Sequence, residues 1–262
     1  MGDLQQPHSL SNPDKLCVGA QSYSFRDFDF EGSIACLKQL GTKYIEYCSV
    51  HFPCDAAHEG FPRVKQRLEA EGIVTVCFGV EGFTGDHAAN RRKFELAKAL
   101  GIEVLTADPT PDAFGSLDKL TDEFGVKIGI HNHGPGARYD KVADTLKAVK
   151  NHSSMIGACV DTGHVIRSGE NPHEVIEQLG SRTISLHLKD WKLGTVCQTS
   201  TNCGEERILG HGDMNMAAVA GILKAIDFTG PVMMEYENSP DNPVPEMKAG
   251  LDNWMKAAGC RL

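Results

Sequence analysis

The sequence predicts an α/β fold, a single-domain (β/α)8 TIM barrel. Three observations point to it. Eight short apolar runs are spread along the chain, mostly separated by amphipathic stretches. Glycines fall where helices would end before the next strand. At 262 residues the length matches eight βα units.

The apolar runs, in order, are KLCVGAQSYSF, KYIEYCSV, IVTVCFGV, IEVLTA, VKIGIHNH, MIGACVDT, TISLHLKD and PVMMEYEN. Helical periodicity marks GSIACLKQLG, FPRVKQRLEAEG, NRRKFELAKALG, KVADTLKAVK, NPHEVIEQLG and MAAVAGILKAI. Gly41, Gly72, Gly101, Gly125 and Gly180 are placed to end helices. A doubly wound open sheet is the competing arrangement. It would want a glycine-rich phosphate loop after the first strand, and QSYSFRDFD is not one. No Pro/Ser-rich linker divides the chain. The expected organisation is a disordered lead-in over 1–14 and one barrel over 15–262.

Strand parity supports closure, because successive strand residues point to opposite sides. In the last four strands, Ile128/Ile130, Ala158/Val160, Ile184/Leu186 and Val232/Met234 share one face, suited to packing under helices. Gly129/His131, Gly157/Cys159/Asp161, Ser185/His187 and Met233/Glu235 share the other, suited to the barrel interior.

Composition excludes several functions. Net charge is −9, and the basic clusters Arg91-Arg92-Lys93 and Arg63–Arg67 read as helix faces. A nucleic-acid or anionic-membrane partner is therefore not expected. No run approaches the ~20 apolar residues of a membrane span. The N-terminus lacks a basic and apolar leader pattern, so the expected location is cytoplasmic, although a trimmed export leader would look the same. Nine scattered cysteines without a CxxC pair read as core residues of a reducing compartment. Cys197 and Cys203 share a loop and are the one pair considered for a disulfide.

Four strand ends carry the chemistry. The fifth ends IHNHG with His131, Asn132 and His133, and the sixth ends VDTGH with Asp161 and His164. The seventh ends LHLKD with His187, Lys189 and Asp190, and the eighth ends MEYEN with Glu235 and Glu237. Histidine and carboxylate are ligands for a borderline divalent cation. Buried carboxylates are costly alone, and a cation would neutralise them. Any one of these residues could be structural, and Asp161 could cap the following helix. Four independent strands ending alike are hard to obtain from packing. His8, His51, His58, His87, His152 and His173 fall in loops or helices and read as solvated.

The pattern resembles the xylose-isomerase-like barrels, which include sugar isomerases and epimerases, inosose dehydratases, hydroxypyruvate isomerases and metal-dependent apurinic endonucleases. The resemblance runs from Val18 to about Gly259. It rests on DTGH at Asp161–His164, HLKD at His187–Asp190 with GxGDM at Gly210–Met214, and MEYE at Met234–Glu237. It implies one divalent ion (Mn2+, Co2+ or Zn2+, with Mg2+ a poorer match) held by His131, Asp161, His187 and Glu235. The family usually has a glutamate where this chain has His131. Catalytic roles fall on Glu235 and His131, with Glu237 the fallback. His164 matches a sugar-contacting histidine. Lys189, His133, Glu46 and Tyr23 are further candidate substrate residues.

The implied function is a metal-dependent isomerase or epimerase acting on a keto-sugar or polyol by proton abstraction alpha to a carbonyl. Keto-sugar dehydration or 3-keto-glycoside lyase chemistry is the close alternative. A sugar-binding barrel without catalysis and an apurinic endonuclease follow at a distance. The expected partner is a small carbohydrate, taken as unphosphorylated because no phosphate cradle is visible. The sequence leaves a homo-oligomer open. The segment Trp191 to Gly212 is long for a βα connection and reads as a lid.

Overall fold

Strand and helix alternate through most of the chain, with α-helices doubled after the sixth strand and a two-stranded insertion after the seventh. The structure, a computed structural model, describes residues 17–194 and 204–259. The lead-in over 1–14, His8, the Cys197–Cys203 pair and the centre of the expected lid lie outside them.

The strands are β1 (Cys17–Gln21), β2 (Tyr44–Tyr47), β3 (Val74–Phe83), β4 (Val104–Pro109), β5 (Lys127–His131), β6 (Ile156–Asp161), β7 (Thr183–Leu188), β8 (Asp190–Lys192), β9 (Glu205–Arg207) and β10 (Pro231–Met234). Eight of them close in the order β1-β10-β7-β6-β5-β4-β3-β2, and all eight pairings are parallel. Closure excludes the open sheet. β8 and β9 form a separate antiparallel hairpin within the connection after β7.

The helices are α1 (Phe30–Leu40), α2 (Phe61–Glu71), α3 (His87–Leu100), α4 (Phe114–Phe124), α5 (Val142–Val149), α6 (Thr162–Arg167), α7 (Pro172–Leu179), α8 (Met216–Ala225) and α9 (Val244–Ala258). Local chemistry sets their ends. Asp29 accepts from Gly32 N at 2.8 Å to start α1, and Asp86 accepts from Ala89 N at 3.0 Å to start α3. Gly41, Gly72, Gly101 and Gly125 end α1 to α4 in the left-handed conformation, as the sequence predicts.

The core has two parts. A large cluster joins the outward faces of the strands to the helices, including Ile128, Ile130, Val160, Leu186 and Met234. Each such side chain contributes roughly 1.5–3 kcal/mol by leaving water. A small cluster of Cys17, Val76, Cys77, Val104, Ile184 and Met233 packs separately. Ile184 departs from its expected face. The β6–β7 register shifts after Ala158, which pairs with Thr183 while Cys159 pairs with Ser185. The extra residue, Ile184, thereby joins Met233 instead of the helix-facing set. The six described cysteines, Cys17, Cys36, Cys48, Cys54, Cys77 and Cys159, are buried and free. Among the described residues no helix is long and apolar enough to cross a membrane.

Candidate metal centre

β5 and β6 end on His131 and Asp161 themselves, His187 is one residue before the end of β7, and Glu235 is the first residue after β10. Barrel closure therefore brings four side chains from distant sequence to one point. Each offers a ligand atom, and the four atoms lie within 4.8 Å of one another. All four residues are buried. His131 Nε2 stands 3.1 Å from His187 Nδ1 and 3.5 Å from Asp161 Oδ2, and His187 Nδ1 is 3.4 Å from Glu235 Oε2.

Asp161 is placed to serve two purposes at once. Its Oδ1 accepts from His164 N at 2.8 Å and so starts α6. Its Oδ2 is buried without a hydrogen bond. The capping role and the ligand role use different oxygens, so they do not compete. Asn132 holds the Asp161 backbone from the side, accepting from its N–H at 2.9 Å and donating to its carbonyl at 3.1 Å. This explains the asparagine of HNHG.

Electrostatics fit a dication. Four carboxylates (Glu46, Asp161, Glu235 and Glu237) surround the ammonium of Lys189 and the ring of His187. Burial pushes the His131 imidazole down to about 3, so it is neutral and able to ligate at working pH. Burial also opposes ionisation of Asp161 and Glu235, but Lys189 and the histidines outweigh it and hold both carboxyls well below their usual range. The donor set and the unbonded Asp161 oxygen suit a borderline divalent ion.

The other expected site residues divide. Lys189 is 3% exposed, and its ammonium lies 3.0 Å from Glu235 and 3.5 Å from Asp161, with Glu237 also bonded. Burial would lower its affinity for a proton, yet the three carboxylates hold it well above its ordinary value. A charge buried this deeply needs counter-charges, and Asp161, Glu235 and Glu237 supply them to Lys189. Its stem crosses Gly163, where a β-carbon would stand 2.7 Å from Lys189 Cγ. That contact explains the glycine of DTGH.

His164 lies in the first turn of α6, not on a loop as its position after the strand suggests. Its Nδ1 accepts from Arg167 Nη1 at 2.9 Å, which leaves the proton on Nε2. Arg167 stacks 4.7 Å from the Trp191 ring. His133 is exposed, with its ring 4.4 Å from that of His131. Glu46, expected at the pocket wall, is fully buried and bonds His187 Nε2 at 2.8 Å. Tyr23 is 38% exposed above β1, its ring 4.9 Å from the Arg26 guanidinium, and Arg26 donates to the Glu237 carbonyl at 2.6 Å. Both place Tyr23 at the rim.

The remaining histidines are not uniformly solvated. His87 Nδ1 lies 2.8 Å from Ser116 Oγ, and His152 Nδ1 lies 2.8 Å from Asp118 Oδ2.

The sequence does not reveal the roles of two carboxylates. Asp190 is 1% exposed and accepts four backbone N–H groups, from Trp191, Gly210, Gly212 and Met214. It binds the HLKD and GxGDM segments to each other. Glu206, on β9, accepts from Glu237 N at 2.9 Å and Asn238 N at 3.1 Å. The flanks of the expected lid are thus a hairpin fastened at both ends.

The xylose isomerase-like TIM barrel family matches residues 34–258. Among curated proteins, an inosose dehydratase of Clostridium botulinum is 28% identical over 51% of this chain and 48% of its own length. A 3-oxo-isoapionate decarboxylase of Pectobacterium atrosepticum is 28% identical over 60% of this chain and 59% of its own. The chain thus matches about half the length of these curated relatives. Among solved structures, the IolI protein with a bound zinc atom superposes with a TM-score of 0.74 at 15% identity, covering 93% of this chain and 98% of its own. An L-ribulose 3-epimerase gives 0.72 at 14% identity, covering 94% and 95%.

Proposed function

The chain belongs to the xylose isomerase-like TIM barrel family, and on that premise we propose that it is a divalent-metal-dependent enzyme removing a proton alpha to the carbonyl of a keto-sugar or related polyol. The observation that carries this reading is the convergence of His131, Asp161, His187 and Glu235, from four strands, within 4.8 Å. The zinc of the IolI protein, and the names of the dehydratase and epimerase relatives, support it. An ion held by these four residues would polarise the substrate carbonyl and stabilise negative charge developing on its oxygen.

This chain's residues supply the proton chemistry. Glu235 and His131 approach from β10 and β5, on different parts of the ring. Glu235 can take the alpha proton through the carboxylate oxygen that does not ligate, while a neutral His131 spends its one lone pair on holding the ion. Lys189, already bonded to Glu235, is the nearby cation that can hold an oxyanion or return a proton. His164 carries its proton on Nε2, so it serves as a hydrogen-bond donor to a substrate oxygen and not as the base. Return of the proton to the adjacent carbon or the opposite face gives isomerisation or epimerisation.

A second reading is favoured by one specific feature. His131 replaces the carboxylate of a symmetric pair, and unlike groups suit loss of a beta-hydroxyl as well as proton return. The dehydratase relatives agree with that outcome. The unphosphorylated substrate finds support in the connections after β7 and β10. Barrels often hold phosphate there, but here a cavity of about 520 Å3 is lined by three glutamates, Glu205, Glu206 and Glu246, against Arg207 and His211.

The test is a screen of keto-sugars and 3-keto-glycosides in D2O, with Mn2+, Co2+ or Zn2+ supplied and products read by NMR. Deuterium at the alpha carbon is expected, with isomer exchange distinguished from elimination by product. Turnover that never breaks that C–H bond overturns the reading.

A further inference from the structure

Glu46 and His187 are 141 positions apart in sequence, and each side chain is fully buried. Barrel closure makes them neighbours: Glu46 is the last β2 residue paired with β1, and His187 stands near the end of β7. His187 uses its two nitrogens differently. Nδ1 faces His131 at 3.1 Å and Glu235 at 3.4 Å, and Nε2 meets Glu46 Oε2 at 2.8 Å. A neutral imidazole has one N–H and one lone pair. Both nitrogens face carboxylates, Nε2 at 2.8 Å and Nδ1 at 3.4 Å, and the shorter contact places the one proton of a neutral His187 on Nε2, leaving the lone pair of Nδ1 toward the other three side chains. Metal-bound histidines commonly donate their second N–H in this way, which fixes the ring and raises its basicity.

We infer that Glu46 is the positioning residue of the metal centre: it selects Nδ1 of His187 as the ligand atom and holds the ring in ligating orientation. The inference rests on the metal reading above. It moves Glu46 from a substrate contact to a residue acting through His187. Two further observations agree. Glu46 Oε1 is buried without a hydrogen bond, so among the described residues the histidine is the carboxylate's one hydrogen-bonded partner. Glu46 also pairs in register beside Gln21, whose amide donates to the Gly79 carbonyl at 2.9 Å, so the strand ends around it are tied together and leave the carboxylate little room to turn.

The experiment compares wild type with Glu46→Gln and Glu46→Leu. Zn2+ affinity is measured by competition with a chromogenic chelator at fixed pH, and thermal midpoints of the metal-free proteins are recorded alongside. Glutamine keeps an acceptor but loses the charge, and leucine loses both. The expected order of affinity is wild type, then Glu46→Gln, then Glu46→Leu, with a total loss of about 10–100-fold. If Glu46→Leu does not fold, Glu46→Gln alone still decides, with a loss of about tenfold expected. Lowered thermal midpoints with unchanged Zn2+ affinity would show a purely structural carboxylate and overturn the inference alone. Wild-type protein that binds no divalent ion overturns the metal reading and the inference together.

Discussion

Gly212 passes so close to Asp190 that a β-carbon there would stand 2.2 Å from Asp190 Oδ1. The absence of a side chain lets four backbone N–H groups converge on one carboxylate. Hydrogen bonds to a charged group are worth about 1.5–3 kcal/mol each, and an unsatisfied donor costs as much. Asp190→Asn turns one acceptor into a donor facing two N–H groups. We expect it to destabilise the protein by roughly 3 kcal/mol, or about 6–12 °C in thermal midpoint for a chain of this size. Gly212→Ala should act in the same direction. Both variants should keep full metal stoichiometry, because Asp190 is not among the four ligands. Calorimetry and elemental analysis check the two halves.

The residues that were legible in the sequence share one property: they sit at strand ends, where period-two alternation alone fixes the facing direction. His131, Asp161, His187 and Glu235 meet because each ends or adjoins the end of a strand in a barrel whose closure the βα rhythm implies. Contacts that depend on register were hidden. Ile184 changed cluster because one register shift inserts a residue into β7, and nothing in TISLHL marks it. Glu46 meets His187 only after β2 and β7 are drawn around the ring. Lys189 had the right parity, but its pairing with three carboxylates comes from depth, which alternation does not report. The helical setting of His164 was hidden because α6 follows β6 with no intervening residue. The sequence HLKD with GxGDM marked a motif without showing that its aspartate fastens backbone.

Glu206 makes stability depend on pH. It is 8% exposed, and burial raises its carboxyl to about 7, against an ordinary value of 4.5. Between these two values the folded state binds a proton that the unfolded state has lost. Stability therefore falls as pH rises from 4.5 through about 7 and is flat above, with a full effect on the order of 2–3 kcal/mol. Glu206→Gln keeps an acceptor for Glu237 N and Asn238 N but cannot ionise. Urea unfolding of the metal-free protein at pH 5, 6, 7 and 8 should show this slope reduced in the variant. Equal slopes in both proteins would remove Glu206 as the source.

His164 should separate binding of substrate from binding of metal. Its Nδ1 is satisfied by Arg167, and the ring packs 5.7 Å from His131 without joining the four ligand atoms. His164→Ala removes one donor to a substrate oxygen, and a hydrogen bond of that kind is worth about 1 kcal/mol, or roughly five- to tenfold. A raised KM or lowered kcat of that size, with unchanged metal content, is the expected result. Loss of the ion in this variant would instead make His164 a ligand.

His131 is the sharpest test of the reaction itself. A neutral imidazole stands where the sequence resemblance implies a glutamate, so the groups facing each other across the ring differ in charge. Glu235 is then the remaining carboxylate among the four ligands able to take or return a proton at carbon, together with Asp161 as an anchor. Glu235→Gln should reduce turnover by ~10²–10⁴-fold, the usual worth of a positioned general base, or more if the ion is also lost. His131→Glu restores a second carboxylate facing Glu235. The variant should retain its metal, because carboxylate and imidazole both serve borderline divalent ions. Isomer exchange should persist in wild type and variant alike, and any elimination product should disappear from the variant, since a symmetric pair returns the proton before a beta-hydroxyl departs. Product NMR in D2O reads both outcomes in one experiment. Elimination that continues unaltered after the change would place the leaving-group chemistry on Lys189 or Glu237, the other groups bonded at the site, and remove His131 from it.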